Sequence, residues 1–337
     1  MQKSNGMISK ELSDKFKLGS LLCTIMVVYR HSLNIQAFGG EEQLGFGVSF
    51  IETGISKLTE IAVPFFFLLS GFFFFRGSYY KNRAYVNMLQ KKFHTLFIPF
   101  VFWNLCGAIP LLAFHQFPFE ENLLAYLLDL LHSDWNGVLW YVRDIMTMML
   151  LVPLYGWIFQ VNKKWLYAIV VSVLFFYWIP VTTSWLSSEG MLFFFLGGIV
   201  QRYNGILYYK LPFWVVAFLL TGWMISCFGY PYLWGIHKYT TLLGLLVFWQ
   251  LLAYLSCSLN QLLLRLAPYS FFIYVTHLYL VKGLKVFLAH FFYANAAAAL
   301  ISYFVVPVII VLMIIFIGMI WGKIAPRSFA FATGGRG

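Results

Sequence analysis

Apolar residues fall in about ten long runs, near 18–38, 55–75, 93–114, 139–160, 165–181, 187–203, 212–230, 239–260, 270–290 and 299–321, with polar residues gathered between them. Each run is of a length that lets a helix cross roughly 30 Å of hydrocarbon. The runs are near-uniformly apolar and do not alternate residue by residue, which predicts helices and not a transmembrane barrel. The expected fold is all-α: a polytopic membrane helix bundle of about ten transmembrane helices. The run at 187–203 is the weakest, being short unless it begins near Trp185.

Composition agrees. Of 337 residues, 61% are hydrophobic, 21% aromatic and only 10% charged, against about 25% charged in soluble domains. A formal net charge of +11 would suit a nucleic-acid binder, but its distribution points elsewhere. With the N-terminus in the cytoplasm, about seventeen of the 23 Lys and Arg fall on the cytoplasmic side, among them Lys3, Lys81 and Arg336. Lys57 and Lys238 are expected in outer loops, where Glu41, Glu42, Glu52, Glu120, Glu121, Asp129, Asp134 and Glu189 cluster. The positive-inside rule then puts both termini in the cytoplasm. The basic charge is topology, and no nucleic acid is expected as a partner. Residues 1–17 read as a cytoplasmic N-terminal segment, 18–321 as one transmembrane bundle and 322–337 as a cytoplasmic tail, whose closing ATGGRG reads as disordered. The cysteines Cys23, Cys106, Cys227 and Cys257 lie in different runs without ligand-like spacing and read as packing residues. No metal is expected.

Chemistry is sought where ionisable residues interrupt apolar runs, because such residues are costly in a membrane and nothing in packing rewards them. The first run, LGSLLCTIMVVYRHSLNIQAF, contains Arg30-His31 beyond its midpoint. A neutral imidazole there is a candidate base for a hydroxyl proton. Glu60, near the outer end of the second run, is placed either to orient His31 or to neutralise Arg30. Ser70-Gly71 in the same run suits close helix approach or a polar contact with substrate. Lys91, Lys92 and His94 stand at the cytoplasmic mouth of the third run, where they would draw phosphates or anionic headgroups. Arg143-Asp144 opens the fourth run. Neighbours on a helix point about 100° apart, so these two are expected to meet partners on other helices, with Asp144 a second candidate to orient His31. In SFFIYVTHLYLVKGLKVFLAH, Ser270, Tyr274 and His277 share one helix face, and Lys282 and Lys285 lie near its outer end.

These pieces resemble acyltransferase family 3, the multi-span acyltransferases that modify cell-surface glycans. The resemblance is carried, in family order, by VVYRHS, VPFFFLLSGFFF, KKFHTLFIPF, LWYVRDIMTMMLLVPL, FFFLGGIVQRY and YSFFIYVTHLYLV. It implies a bacterial inner-membrane protein that takes an acyl group, often acetyl, from acyl-CoA on the cytoplasmic side to a hydroxyl of a glycan or glycolipid. It maps the family's essential histidine onto His31. Many members carry an arginine eleven residues before that histidine, where this chain has Ser20, with Lys17 one turn earlier on the same face as its stand-in. Glu60 occupies a position that is often arginine in relatives. The expected site is thus His31 with Asp144 or Glu60 as catalytic residues. Arg30, Arg143, Ser70, Ser270, Tyr274, His277 and Lys282 are expected on the substrate, and Lys17, Lys91 and Lys92 on acyl-CoA. The rival reading is a glycan or lipid-linked sugar transporter, against which the absence of a visible inverted repeat counts.

Overall fold

A computed structural model of the chain describes residues 8–77, 82–119, 122–179, 186–255 and 257–335. Lys3, Lys81, Glu120, Glu121, Trp185, Arg336 and the side chain of Cys257 lie outside the described residues. Among those described, every regular element is helical. The longer helices are α1 (Lys10–His31), α2 (Phe46–Thr59), α3 (Ala62–Arg76), α4 (Ile98–Ala113), α5 (Trp140–Leu150), α6 (Lys164–Trp178), α7 (Ser188–Arg202), α8 (Phe213–Phe228), α9 (Tyr230–Leu251), α10 (Ser270–Phe291) and α11 (Ala296–Ile324).

Among the described residues, five stretches are long and apolar enough to cross a membrane: Lys10–Phe38, Phe46–Arg76, Arg83–Ala113, Leu259–Phe291 and Ala296–Ile324. They match the runs at 18–38, 55–75, 93–114, 270–290 and 299–321. The run at 139–160 is a pair of helices bent by 55°, which makes a sixth crossing if the pair is one span. Its break precedes Pro153, which has no N–H to donate to Met149. The remaining runs depart from the expected ten full spans. Helices α6, α7 and α8 have 15, 15 and 16 residues, about 22–24 Å at the α-helical rise. The run at 239–260 starts inside α9 and turns at Leu252–Tyr254. The chain is a multi-pass membrane protein in which full-length and shorter helices are mixed.

Both segments expected to flank the bundle contain helix. Helix α1 starts at Lys10, where Ser9 Oγ accepts the Leu12 N–H at 3.2 Å, so it begins inside the expected N-terminal segment. Pro326–Thr333 is a helix in which Phe329 packs on Phe272, so Ala332 and Thr333, the first two residues of the ATGGRG expected to be disordered, are helical, and Trp103 Nε1 donates to the Ala332 carbonyl at 2.8 Å. Phe329 and Ala332, three positions apart on one helix face, are both buried, an apolar side that the glycines after it do not disclose.

The phenylalanine-rich runs form the centre of the bundle. Phe67, Phe72 and Phe74 of α3 and Phe193, Phe194 and Phe195 of α7 are all buried. The two helices approach closely because each offers a glycine to the other's backbone. A Cβ on Gly71 would collide with the Phe194 carbonyl, and one on Gly197 with the Leu68 carbonyl. Gly71→Ala should therefore destabilise the bundle at the upper end of the ~1–3 kcal/mol typical of overpacking, since backbone cannot rotate aside. Thermal unfolding in detergent checks this, and an unchanged midpoint would show that the two helices are free to separate.

Pro64 separates α2 from α3. It cannot donate to the Glu60 carbonyl, and the chain turns at Glu60 and Ile61 before Phe65 N–H resumes the ladder to the Ile61 carbonyl at 3.0 Å. The carboxylate of Glu60 is thereby carried at a helix break facing α1.

Candidate active site

One stripe of α1 organises the site. Ser13, Phe16, Lys17, Ser20 and Thr24 line a cavity of about 420 Å³ together with Phe66, Ser70, Tyr141, Ser270 and Tyr274. Their spacing keeps them on one helix face, and the same stripe continues to His31, seven residues past Thr24. That is about 10 Å along the axis. Helix α10 runs beside α1 in the same sense: Ser270 and Tyr274 line the cavity, and His277 follows one turn later on that face.

His31 and His277 meet there, their ring centroids 5.3 Å apart and inclined at 47°. His277 is fully buried. Its Nδ1 lies 2.8 Å from the Tyr274 carbonyl and 3.1 Å from the Ile273 carbonyl. Carbonyls only accept, so Nδ1 carries the proton of this ring and Nε2 keeps its lone pair. Nε2 is buried with no hydrogen-bond partner among the described residues. Arg30, Lys282 and Lys285 surround His31 closely enough to act on it electrostatically.

The backbone beyond His31 is held by groups from three other helices. Lys285 Nζ donates to the Leu33 carbonyl at 2.9 Å and to the His31 carbonyl at 3.5 Å, a cation capping a helix C-terminus. Glu52 Oε2 accepts the N–H groups of Asn34 and Ile35 at 2.7 and 3.1 Å, and Asn34 Nδ2 donates to the Ala299 carbonyl at 2.8 Å. Glu52 is therefore a buried residue of α2 and not an outer-loop acid. The signal was present in the sequence, since FGVSFIETGI is apolar around it, but a single carboxylate near a loop reads equally as surface.

A second cavity, about 440 Å³, lies along the same helices. It is lined by Val27 and Arg30 of α1, Glu60, Val63, Trp140, Trp178, Ser187, Glu189, Lys238 and Thr241, among others. On α1, α3 and α5 its residues adjoin those of the first cavity: Val27 after Thr24, Val63 before Phe66, and Trp140 beside Tyr141. Tyr141 stands between the two, its ring 5.7 Å from Phe66 and 6.0 Å from Tyr274, and its hydroxyl 3.1 Å from Ser70 Oγ. Tyr274 donates its hydroxyl hydrogen to the Val138 carbonyl.

The two carboxylates expected to orient His31 are engaged elsewhere. Glu60 Oε1 accepts from Arg30 Nη1 at 2.9 Å and from Lys57 Nζ at 2.8 Å. Asp144 is buried with Oδ1 on Arg143 Nε at 2.9 Å and Oδ2 on the Ser187 N–H at 2.9 Å. Arg143 and Asp144 were expected to seek separate partners. They pair because the long arginine side chain folds back over its neighbour, while Nη1 reaches the His132 carbonyl at 3.0 Å. This cluster ties α5 to the start of α7.

Of the basic residues expected at a donor, Lys17 lines the first cavity, whereas Lys91 and Lys92 sit at the end of the helix Asn82–Lys92 and are not among its lining residues. Ser70, Ser270 and Tyr274 line that cavity; Arg30 lines the second; Lys282 is exposed near His31. Glu189, Lys238, Trp140 and Trp178 were missed. Lys238 lies within α9, not in a loop, and donates to the Trp178 and Ile179 carbonyls at 2.8 and 2.9 Å, capping α6. Only folding brings these four residues to one place, from four separate helices.

A multi-pass helical bundle with an imidazole pair beside two cavities defines an intramembrane site. The family described as Acyltransferase domain, acyltransferase family 3, matches residues 21–322, and the chain belongs to that family. It is a membrane acyltransferase. No curated relative and no solved structure matches the chain.

Proposed function

We propose that the protein moves an acyl group, with acetyl the expected one, from acyl-CoA to a hydroxyl of a cell-surface or periplasmic glycan. In this reading it resides in the bacterial inner membrane, with both termini and the Lys17 end of α1 in the cytoplasm. The observation that carries it is the single stripe of α1, which lines one cavity from Lys17 to Thr24 and then presents His31.

Acyl-CoA enters at Lys17. Its phosphates are drawn to Lys17 and, at the approach, to Lys91 and Lys92, and its acyl arm lies along Ser20, Thr24, Phe66 and Tyr274. The acceptor occupies the second cavity, where Trp140 and Trp178 offer apolar faces to a sugar ring and Glu60, Glu189, Arg30 and Thr241 offer partners to its hydroxyls. His31 takes the proton of the attacking hydroxyl as its oxygen bonds to the thioester carbonyl. The carbon–sulfur bond then breaks, and the imidazolium returns the proton to the departing thiolate. Arg30 and Lys282 are the cations nearest the developing oxyanion. Two steps through an acyl-histidine would use the same groups.

Filling the first cavity tests this assignment. Ser20→Trp should raise KM for acyl-CoA at least about tenfold, equivalent to losing roughly 1.4 kcal/mol of binding, while KM for the acceptor stays within twofold. Steady-state kinetics in detergent reads both. An acceptor KM that rises while the donor KM does not would reverse the two cavities.

A further inference from the structure

We infer that His277 is the positioning residue for His31: the bare Nε2 of His277 accepts the N–H of the His31 ring and thereby fixes which nitrogen of His31 acts as the base. The inference rests on the acyl-transfer reading of His31 and adds a partner that the carboxylates do not supply.

Three observations carry it. His277 is fully buried, and its Nδ1–H is committed to the carbonyls of Ile273 and Tyr274, so its tautomer is set by its own helix. Its Nε2 is then a buried acceptor that finds no donor among the described residues, a costly state unless a donor comes to it. The His31 ring lies beside the His277 ring, 5.3 Å between centroids, nearer than the Tyr274 ring at 6.5 Å. A neutral imidazole has one N–H and one lone pair. When His31 turns its N–H to Nε2 of His277, its lone pair is left on the opposite nitrogen, free to receive the acceptor proton. As His31 becomes an imidazolium, the bond to His277 becomes charge-assisted and shorter, so it strengthens as the reaction proceeds. That is the condition for raising kcat instead of merely tightening binding.

A neutral partner also suits the surroundings. Asp144 is held by Arg143 and Ser187, and Glu60 by Arg30 and Lys57. His277 does the work of a triad carboxylate without bringing a further charge into the apolar bundle.

The test compares His277→Phe with His277→Gln in purified protein. The first removes the acceptor; the second places an amide oxygen near the position of Nε2. The expected result is a kcat about 10–100-fold lower for His277→Phe, the usual cost of losing an orienting partner. KM for donor and acceptor should stay within twofold, and His277→Gln should recover most of the rate. Full activity in His277→Phe, or equal losses in both variants, overturns the inference. Nitrogen-15 spectra of histidine-labelled wild-type protein give an independent reading that requires no variant. His277 should be neutral, protonated on Nδ1, with Nε2 at a hydrogen-bonded shift, and a proton on Nε2 overturns the inference. An active His31→Ala would instead sink the underlying reading, whatever His277 does.

Discussion

His31→Ala should lower the rate of acyl transfer by about 10²–10⁴-fold, the range of a lost general base, while leaving both substrates bound with near-native affinity. The separation of rate from binding follows from position. His31 is not among the residues lining either cavity, so its removal takes from the bound substrates no more than its hydrogen bond to the acceptor hydroxyl. Nor should the fold suffer much. The end of α1 is held through backbone groups, by Lys285 on the His31 and Leu33 carbonyls and by Glu52 on the Asn34 and Ile35 N–H groups. Single-turnover transfer measured beside equilibrium binding of acyl-CoA separates the two quantities. A variant that binds poorly but turns over at the native rate would assign His31 to binding.

Asp144→Ala should act in the opposite way, on stability first. It strips the counter-charge from a buried arginine, an operation that costs about 3–5 kcal/mol, and it leaves the Ser187 N–H at the head of α7 without its acceptor. Helix α7 packs on α3 through the glycine contacts at Gly71 and Gly197, so loosening its start should spread into the phenylalanine core. The expected outcome is a large fall in thermal midpoint and in yield of monodisperse protein. Asp144→Asn, which still accepts from Ser187, should fall between Ala and wild type. A midpoint for Asp144→Ala equal to that of wild type would mean that Arg143 finds another counter-charge. If instead the variant were stable and inactive, Asp144 would belong to the chemistry after all.

Much of the architecture was legible because it is local. The apolar runs announced helices, and the 3.6-residue period put Ser270, Tyr274 and His277 on one face. The energetic oddity of Arg30-His31 in an apolar run pointed to the end of α1. What stayed hidden depends on partners distant in sequence. Glu60 is thirty residues from Arg30, and whether it would meet Arg30 or His31 turned on the break that Pro64 makes. Arg143 and Asp144 were assigned to separate partners from helix geometry, which fixes the direction of Cβ but not where a long arginine ends. Glu52 looked like a surface acid because charge alone does not show burial. The shorter helices α6, α7 and α8 were read as full spans because hydropathy marks apolar length and not where the chain turns.

The central claim is covalent transfer of an acyl group across this bundle, and sealed proteoliposomes test it most directly. Acyl-CoA labelled in its acyl group is supplied on the side bearing Lys17, and the glycan acceptor only on the other. The account predicts that the label appears in ester linkage on the acceptor with wild-type protein and that this signal is lost with His31→Ala. Movement of unmodified glycan across the membrane, independent of acyl-CoA and unaffected by His31→Ala, would contradict it and identify a transport path instead.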